Sequence, residues 1–203
     1  MQSDPAEEQD LARERSDVVK ELAAAFDAKW REVSQAGFED VPVPVGLAEW
    51  PGVTLPGNEA VLHPAQGEGI SYHGKSGWAN DWIDNWTDET SFATWPIEII
   101  TAGEYEVSLD YCCPPANMGS VVRVEAGAAA ATGEITQAHD PPPLPSPDRF
   151  RRPEVYEKTW KPLSLGNIRL ERGRTNLTLR ADRIVGGKMP QIIAVEIKPA
   201  DGS

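Results

Sequence analysis

The sequence predicts a mostly β chain, an antiparallel β-sandwich carried behind an N-terminal α-helical segment. Three observations predict it. Apolar residues recur at helical spacing only near the start, at Val18, Leu22, Phe26, Trp30 and Val33. From Asn58 onward the apolar period falls to two, most plainly where Tyr105, Val107, Leu109 and Tyr111 alternate with Glu106, Ser108 and Asp110. At least seven short apolar runs then follow one another with glycine and proline between them and no helical stretch, which excludes a βαβ arrangement.

The helical segment is expected over residues 3–34. Ser3-Asp4-Pro5 offers a cap and then a proline early in the helix, and Glu7 and Glu8 suit the positive end of its dipole. Ser16-Asp17 is a second start signal, and Gly37 supplies the stop. Residues 38–57 read as a linker, because Val41-Pro42-Val43-Pro44-Val45, Pro51 and Pro56-Gly57 interrupt backbone donors and favour extended chain. Trp50 within it is expected to pack against something. The division is then 1–36 helical, 37–57 proline-rich linker and 58–203 sandwich.

Within the sandwich, strands are expected at 60–63, 92–100, 105–111, 121–126, 159–165, 168–170, 176–181 and 192–197. Gly166-Asn167 and Arg172-Gly173-Arg174 read as turns, and the stretch from Asp140 to Pro153 as a stiff proline-rich excursion.

Charge and composition exclude several function classes. The formal net charge is −13, which argues against nucleic acid and against an anionic membrane surface, since both call for clustered Lys and Arg. No run approaches the roughly 20 apolar residues of a membrane helix. Met1 to Asp10 is acidic and polar, unlike a signal peptide, so the signal of an exported parent would lie upstream. The two cysteines, Cys112 and Cys113, are adjacent, which rules out a long-range disulfide within the chain and a zinc spacing made from cysteine alone. Neighbours on a strand face opposite ways, so one is expected buried and the other not.

Two stretches resemble known families. Ser3-Asp4-Pro5-Ala6-Glu7-Glu8-Gln9-Asp10-Leu11-Ala12, continued by Asp17-Val18-Val19, Leu22 and Trp30, resembles the end of the catalytic unit of arylsulfatase-type sulfatases. The resemblance covers about the first 34 residues and implies a helix that lies on a small sheet of that unit. From Glu59 onward the chain is similar to jelly-roll, galactose-binding-like carbohydrate-binding modules. Ala102-Gly103-Glu104-Tyr105-Glu106-Val107-Ser108-Leu109, Trp160, Leu170-Glu171-Arg172-Gly173 with Asn176-Leu177-Thr178-Leu179, and the closing Ile192 to Ile197 carry that likeness.

The first resemblance implies a formylglycine centre built on Cys/Ser-x-Pro-x-Arg around calcium. Cys112-Cys113-Pro114-Pro115-Ala116 matches only Cys-x-Pro, lacks the arginine and follows a strand late in the chain, so no catalytic residue is expected. No Gly-x-Ser-x-Gly elbow is present either, and nothing selects a pair of carboxylates for glycoside hydrolysis.

The most unusual segment runs from Ser71 to Trp86, where Trp78, Trp82 and Trp86 are four residues apart with Asn and Asp between them. Flat aromatic faces cover the C–H face of a sugar ring, and amides and carboxylates take its hydroxyls. Tyr72, His73, Trp78, Asn80, Asp81, Trp82 and Trp86 are therefore the candidate carbohydrate-binding residues. The competing reading makes the tryptophans core plugs, or a short helix closing one end of the sandwich. His63 and His139 read as structural. Glu59, Glu68 and Glu196 are candidate ligands of a structural calcium ion, with carbonyls needed to complete the site. Asp148, Arg149, Arg151 and Arg152 read as a solvated loop, with contact to an acidic sugar as the alternative.

The function expected from this is a non-catalytic accessory domain of a sulfatase acting on sulfated glycans. Its partners would be the catalytic unit in cis and polysaccharide. The resemblance implies a periplasmic or secreted parent. A sandwich that only packs on the catalytic unit is the alternative.

Overall fold

The computed structural model describes residues 6, 8–35, 37, 41–65, 67–74, 77–145, 149–150 and 157–200. The expected cap at Ser3-Asp4-Pro5 and residues Asp148, Arg151 and Arg152 lie outside them. The chain forms two compact units, Met1–Asp40 and Val41–Ser203.

The first unit is one helix, α1, Ser16–Ser34. It begins at the second of the two start signals. It closes on Gly37, whose left-handed φ of 76° lets its N–H donate to the Ser34 carbonyl at 2.9 Å. Phe26 and Trp30, one turn apart, stack with centroids 6.2 Å apart. Within this unit the apolar stripe buries nothing.

The second unit is a sandwich of two six-stranded sheets. The first sheet holds β1 (Val43–Val45), β3 (Val61–His63), β6 (Phe92–Ile99), β8 (Val121–Ala126), β9 (Ala129–Glu134) and β11 (Gly173–Arg183). The second holds β2 (Val53–Pro56), β4 (Ser71–Tyr72), β5 (Ile83–Asp84), β7 (Gly103–Cys112), β10 (Lys161–Leu170) and β12 (Gln191–Pro199). Their orders are β1-β6-β11-β8-β9, with β3 also on β6, and β10-β7-β12-β5-β4, with β2 also on β12. From β6 to β12 every connection except the β8–β9 hairpin crosses from one sheet to the other, the winding of a jelly roll.

The core is what period-two patterning dictates. Trp95, Ile97 and Ile99 of β6 meet Val107, Leu109 and Tyr111 of β7, and Val122, Val124, Leu177, Leu179, Val195 and Ile197 close the layer, all buried. Each large side chain so buried stabilises the fold by about 1.5–3 kcal/mol. The polar ends of four core aromatics are partnered, while Trp82 Nε1 is not. Trp95 Nε1 donates to the Pro56 carbonyl at 2.8 Å, Trp86 Nε1 to Asp88 O at 3.0 Å, Tyr105 Oη to Thr101 O at 2.6 Å and Tyr111 Oη to Gln137 O at 3.0 Å.

Several expectations are corrected. The stretch 38–57 contains β1 and β2, so from Val41 it belongs to the sandwich. Proline is tolerated there because both strands lie at sheet edges, where one side needs no ladder bond. β1 runs parallel to β6, so the sheets are not wholly antiparallel. Gly166-Asn167 is a bulge inside a continuous β10, with the register shifting between Ser164 and Gly166. Trp50 is exposed. Cys112 and Cys113 are both fully buried, because the outward-facing Cys112 thiol is covered and donates to the Thr159 carbonyl at 3.4 Å. Burial pushes both thiols up to about 11.

Candidate carbohydrate-binding site

One end of the second sheet gathers aromatic and charged groups around β4, β5 and the loop between them. β5 pairs with β4 through Tyr72 and Ile83, and with β12 through Ile83 and Ile192. Ile83 faces the core, and alternation turns Asp84 to the opposite side of the sheet. Asp84 is nevertheless only 3% exposed, because side chains from three directions cover it. Lys188 Nζ lies 2.5 Å from its Oδ1, His73 Nδ1 3.0 Å from its Oδ2, and Gln191 Nε2 donates to Oδ2 at 2.9 Å. Burial alone would raise the carboxyl pKa. The hydrogen bonds from Lys188, His73 and the Asn85 N–H, with the Lys188 charge, outweigh it and hold the carboxyl below the usual range.

Lys188 reaches Asp84 from a pinned loop. Asn117 Nδ2 donates to the Val185 and Lys188 carbonyls at 2.9 and 2.8 Å, and Met189 N–H donates to Trp86 O at 2.8 Å. Gly186 is required, since a Cβ there would sit 2.4 Å from the Ala116 carbonyl oxygen.

The sequence candidates separate into three groups. Trp86 is core, fully buried. Tyr72, Asp81 and Trp82 build the floor. Tyr72 Oη donates to the Ala60 carbonyl, and its ring lies where a Cβ on Gly77 would come within 2.7 Å. Asp81 accepts from the Gly74 and Trp82 N–H groups, each at 2.9 Å to Oδ1, which ties Gly74 to Asp81. The Trp82 ring stacks on His73 at 4.3 Å and meets the edge of Trp160 at 5.3 Å. Trp78, Asn80 and the exposed His73 stand on the rim. Trp78 is 63% exposed, and Asn80 is exposed with a left-handed φ of 67°. The helical alternative for the three tryptophans is not what forms: spacing four here spans a loop and a strand.

Asp84, Lys188, Gln191, Lys158 and Trp160 complete the cluster and are not among the sequence candidates. A signal existed for two of them. Asp84 interrupts an otherwise apolar Trp82-Ile83, and Gly186-Gly187-Lys188 marks a tight loop presenting a cation.

His63 Nε2 hydrogen-bonds Thr94 Oγ1 at 3.0 Å, and His139 Nε2 lies 2.8 Å from Thr159 O, both as structural groups. Glu59, Glu68 and Glu196 do not come together: among the described residues no group of three or more His, Cys, Asp or Glu is placed to hold a metal ion. Elsewhere Trp50 lines a shallow groove of about 410 Å³ with Glu49, Val53, Thr54 and Lys198.

Sequence comparison finds no matching family model and no matching curated protein. Among solved structures, the chain is similar to the functional form of the mosquito-larvicidal Cry4Aa toxin from Bacillus thuringiensis, with 14% identity and a TM-score of 0.51 over 73% of this chain and 23% of that one. A GH26-CBM35 β-(1,4)-mannanase of Podospora anserina aligns with 12% identity and a TM-score of 0.49 over 75% of this chain and 28% of the other. A family 35 carbohydrate binding module from Clostridium thermocellum aligns with 11% identity and a TM-score of 0.48 over 73% of this chain and 98% of that one. The chain thus spans about a quarter of the first two proteins. At such identities a likeness concerns fold only, and the jelly-roll assignment rests on the strand order above.

Proposed function

We propose that the chain is a non-catalytic carbohydrate-binding accessory module whose ligand meets the β4–β5 end of the second sheet. The observation that carries this is Trp78, a large aromatic left 63% exposed while its carbonyl accepts from the Asp81 N–H at 2.9 Å. An aromatic ring in water costs free energy unless something covers it, and a sugar ring is a fitting cover. Asn80 and His73, both exposed, supply hydroxyl partners. The finer reading makes the parent enzyme a sulfatase that carries this module in cis and acts on sulfated glycans. The resemblance of residues 3–34 to the end of a sulfatase catalytic unit supports that.

Affinity gel electrophoresis against a panel of neutral and acidic polysaccharides tests the module. Retardation by at least one polymer, lost in Trp78→Ala, is expected. Unchanged mobility in every polymer would contradict it and leave a sandwich that only packs on its neighbour.

A further inference from the structure

Trp50 lines an open groove of about 410 Å³ together with Glu49, Gly52, Val53, Thr54 and Lys198. That volume falls within the roughly 300–1,000 Å³ of small-ligand sites. The ring is 75% exposed, yet the chain that carries it is fixed on both sides. Upstream, Val45 O accepts from the Ile100 N–H at 2.9 Å and Gly46 O from Thr101 Oγ1 at 2.6 Å. The Trp50 N–H itself donates to Leu47 O at 3.2 Å. Downstream, β2 pairs with β12 from Val53 opposite Ile197 to Pro56 opposite Ala194. A ligand arriving at the ring therefore does not have to order the chain beneath it. Leu55 is core, so alternation turns Thr54 to the outer face of the sheet, opposite Glu196 in the register. Lys198 faces the same way, with its Nζ 2.5 Å from Glu196 Oε2. A Cβ on Gly52 would come within 3.2 Å of Lys198 Cγ, so the lysine stem lies against the chain two residues from Trp50. β12 meets β5 at Ile192 and β2 at Ile197, which puts the groove about 17 Å along the strand from the Asp84 end.

We infer that the Trp50 groove is a second carbohydrate-binding site, one that takes a neutral sugar ring on the exposed indole. It shares no residue with the Trp78 site and rests on the carbohydrate reading only for the class of ligand. The apolar C–H face of the sugar covers the ring, and Thr54, Glu49 and Lys198 offer donors and acceptors to its hydroxyls. Glu49 and Glu196 set two negative charges against the one of Lys198, which disfavours a carboxylate or sulfate on the sugar. A protein partner fits less well. Trp50 is the one exposed large apolar side chain lining the groove, whereas a stable interface buries about 1,200–2,000 Å² around several anchors. With two sites on one module, a polymer that reaches both binds more tightly than a fragment that reaches one.

Isothermal titration of the full chain against dextran, soluble xylan and galactomannan, with polygalacturonate as the acidic control, is the test. Trp50→Ala, Trp50→Phe and Trp78→Ala are compared with the parent chain. At least one neutral polymer should bind, and Trp50→Ala should weaken it about fivefold, while Trp50→Phe keeps most of the affinity. Thermal midpoints should stay unchanged, because the ring lies outside the core. If Trp78→Ala weakens binding and Trp50→Ala does not, the groove is overturned and the carbohydrate reading stands. If Trp50→Ala weakens only polygalacturonate, the neutral-sugar assignment is overturned. If Trp50→Ala leaves every polymer affinity unchanged but splits a dimer seen in sedimentation, the groove is a contact between copies and the second site falls. If no polysaccharide binds, the second site and the carbohydrate reading fall together.

Discussion

The outer face of the first sheet and the Asp84 end of the second are both rich in charge, yet they are built on opposite terms. Among the described residues every arginine on the first sheet has its acid. Arg123 pairs with Glu125 and Asp182, Arg180 with Glu125 and Arg183 with Glu134, at 3.0–3.3 Å, while Arg174 reaches Glu98 at 3.4 Å. Arg180 also covers the Phe92 ring. Those pairs are substantially exposed, and each stabilises by no more than about 1 kcal/mol. At the Asp84 end the carboxylate is buried and shared, and among the described residues Lys158 has no acid and the Trp82 indole no acceptor, while Trp78 stands exposed. Balanced charge marks a surface that needs no ligand; the unbalanced groups beside an exposed aromatic are what the proposed binding role would use.

The comparison can be broken or sharpened by substitution. The largest effect is expected for Trp86→Ala, about 3–5 kcal/mol of stability in urea denaturation, because that ring fills the core. Trp78→Ala should cost under about 0.5 kcal/mol, and a larger loss would make Trp78 a packing residue rather than a rim. Next is Asp84→Ala, which strands Lys188, His73 and Gln191 and should cost about 3 kcal/mol. Its counterpart on the first sheet, Glu125→Ala, should cost about 0.5 kcal/mol, and equal losses would erase the distinction between the two faces.

Acid should act on the same contrast. The Asp84 carboxyl titrates below its ordinary value, so its contribution is complete above about pH 4 and is lost as pH falls through the depressed value. Thermal midpoints between pH 5 and pH 2 should therefore fall more steeply in the parent chain than in Asp84→Asn. The smallest effect has the opposite sign. Burial, with Glu196 adding to it against Lys198, raises the Asp110 carboxyl. Ionising it weakens the fold, so Asp110→Asn should raise the midpoint by about 1 °C at pH 7 and by nothing near pH 2.

What the sequence showed of this molecule follows from the range of the interactions concerned. β6, β7, β8 and β12 were legible because burial on one face writes a period of two into adjacent residues. β9 was not, since Ala129-Ala130-Ala131-Thr132-Gly133-Glu134 is small and polar and is a strand only by pairing with β8. β1 and β2 were hidden by prolines that an edge position tolerates. At the site, Trp78 and His73 could be singled out from a local cluster of unusual residues. Asp84 and Lys188 each carried a local signal, but their meeting did not: Asp84 meets Lys188 and Gln191 across more than 100 positions of chain, and only the sheet register brings them together.

The most direct test of where a ligand meets this sandwich is the set of indole N–H signals in a proton–nitrogen spectrum, the chain having seven tryptophans. Titration with the polysaccharide that retards the protein should move the signals of Trp78, Trp82 and Trp160 and leave those of Trp86 and Trp95 in place. Movement confined to Trp50 or Trp30, with the Trp78 signal unmoved, would contradict the account.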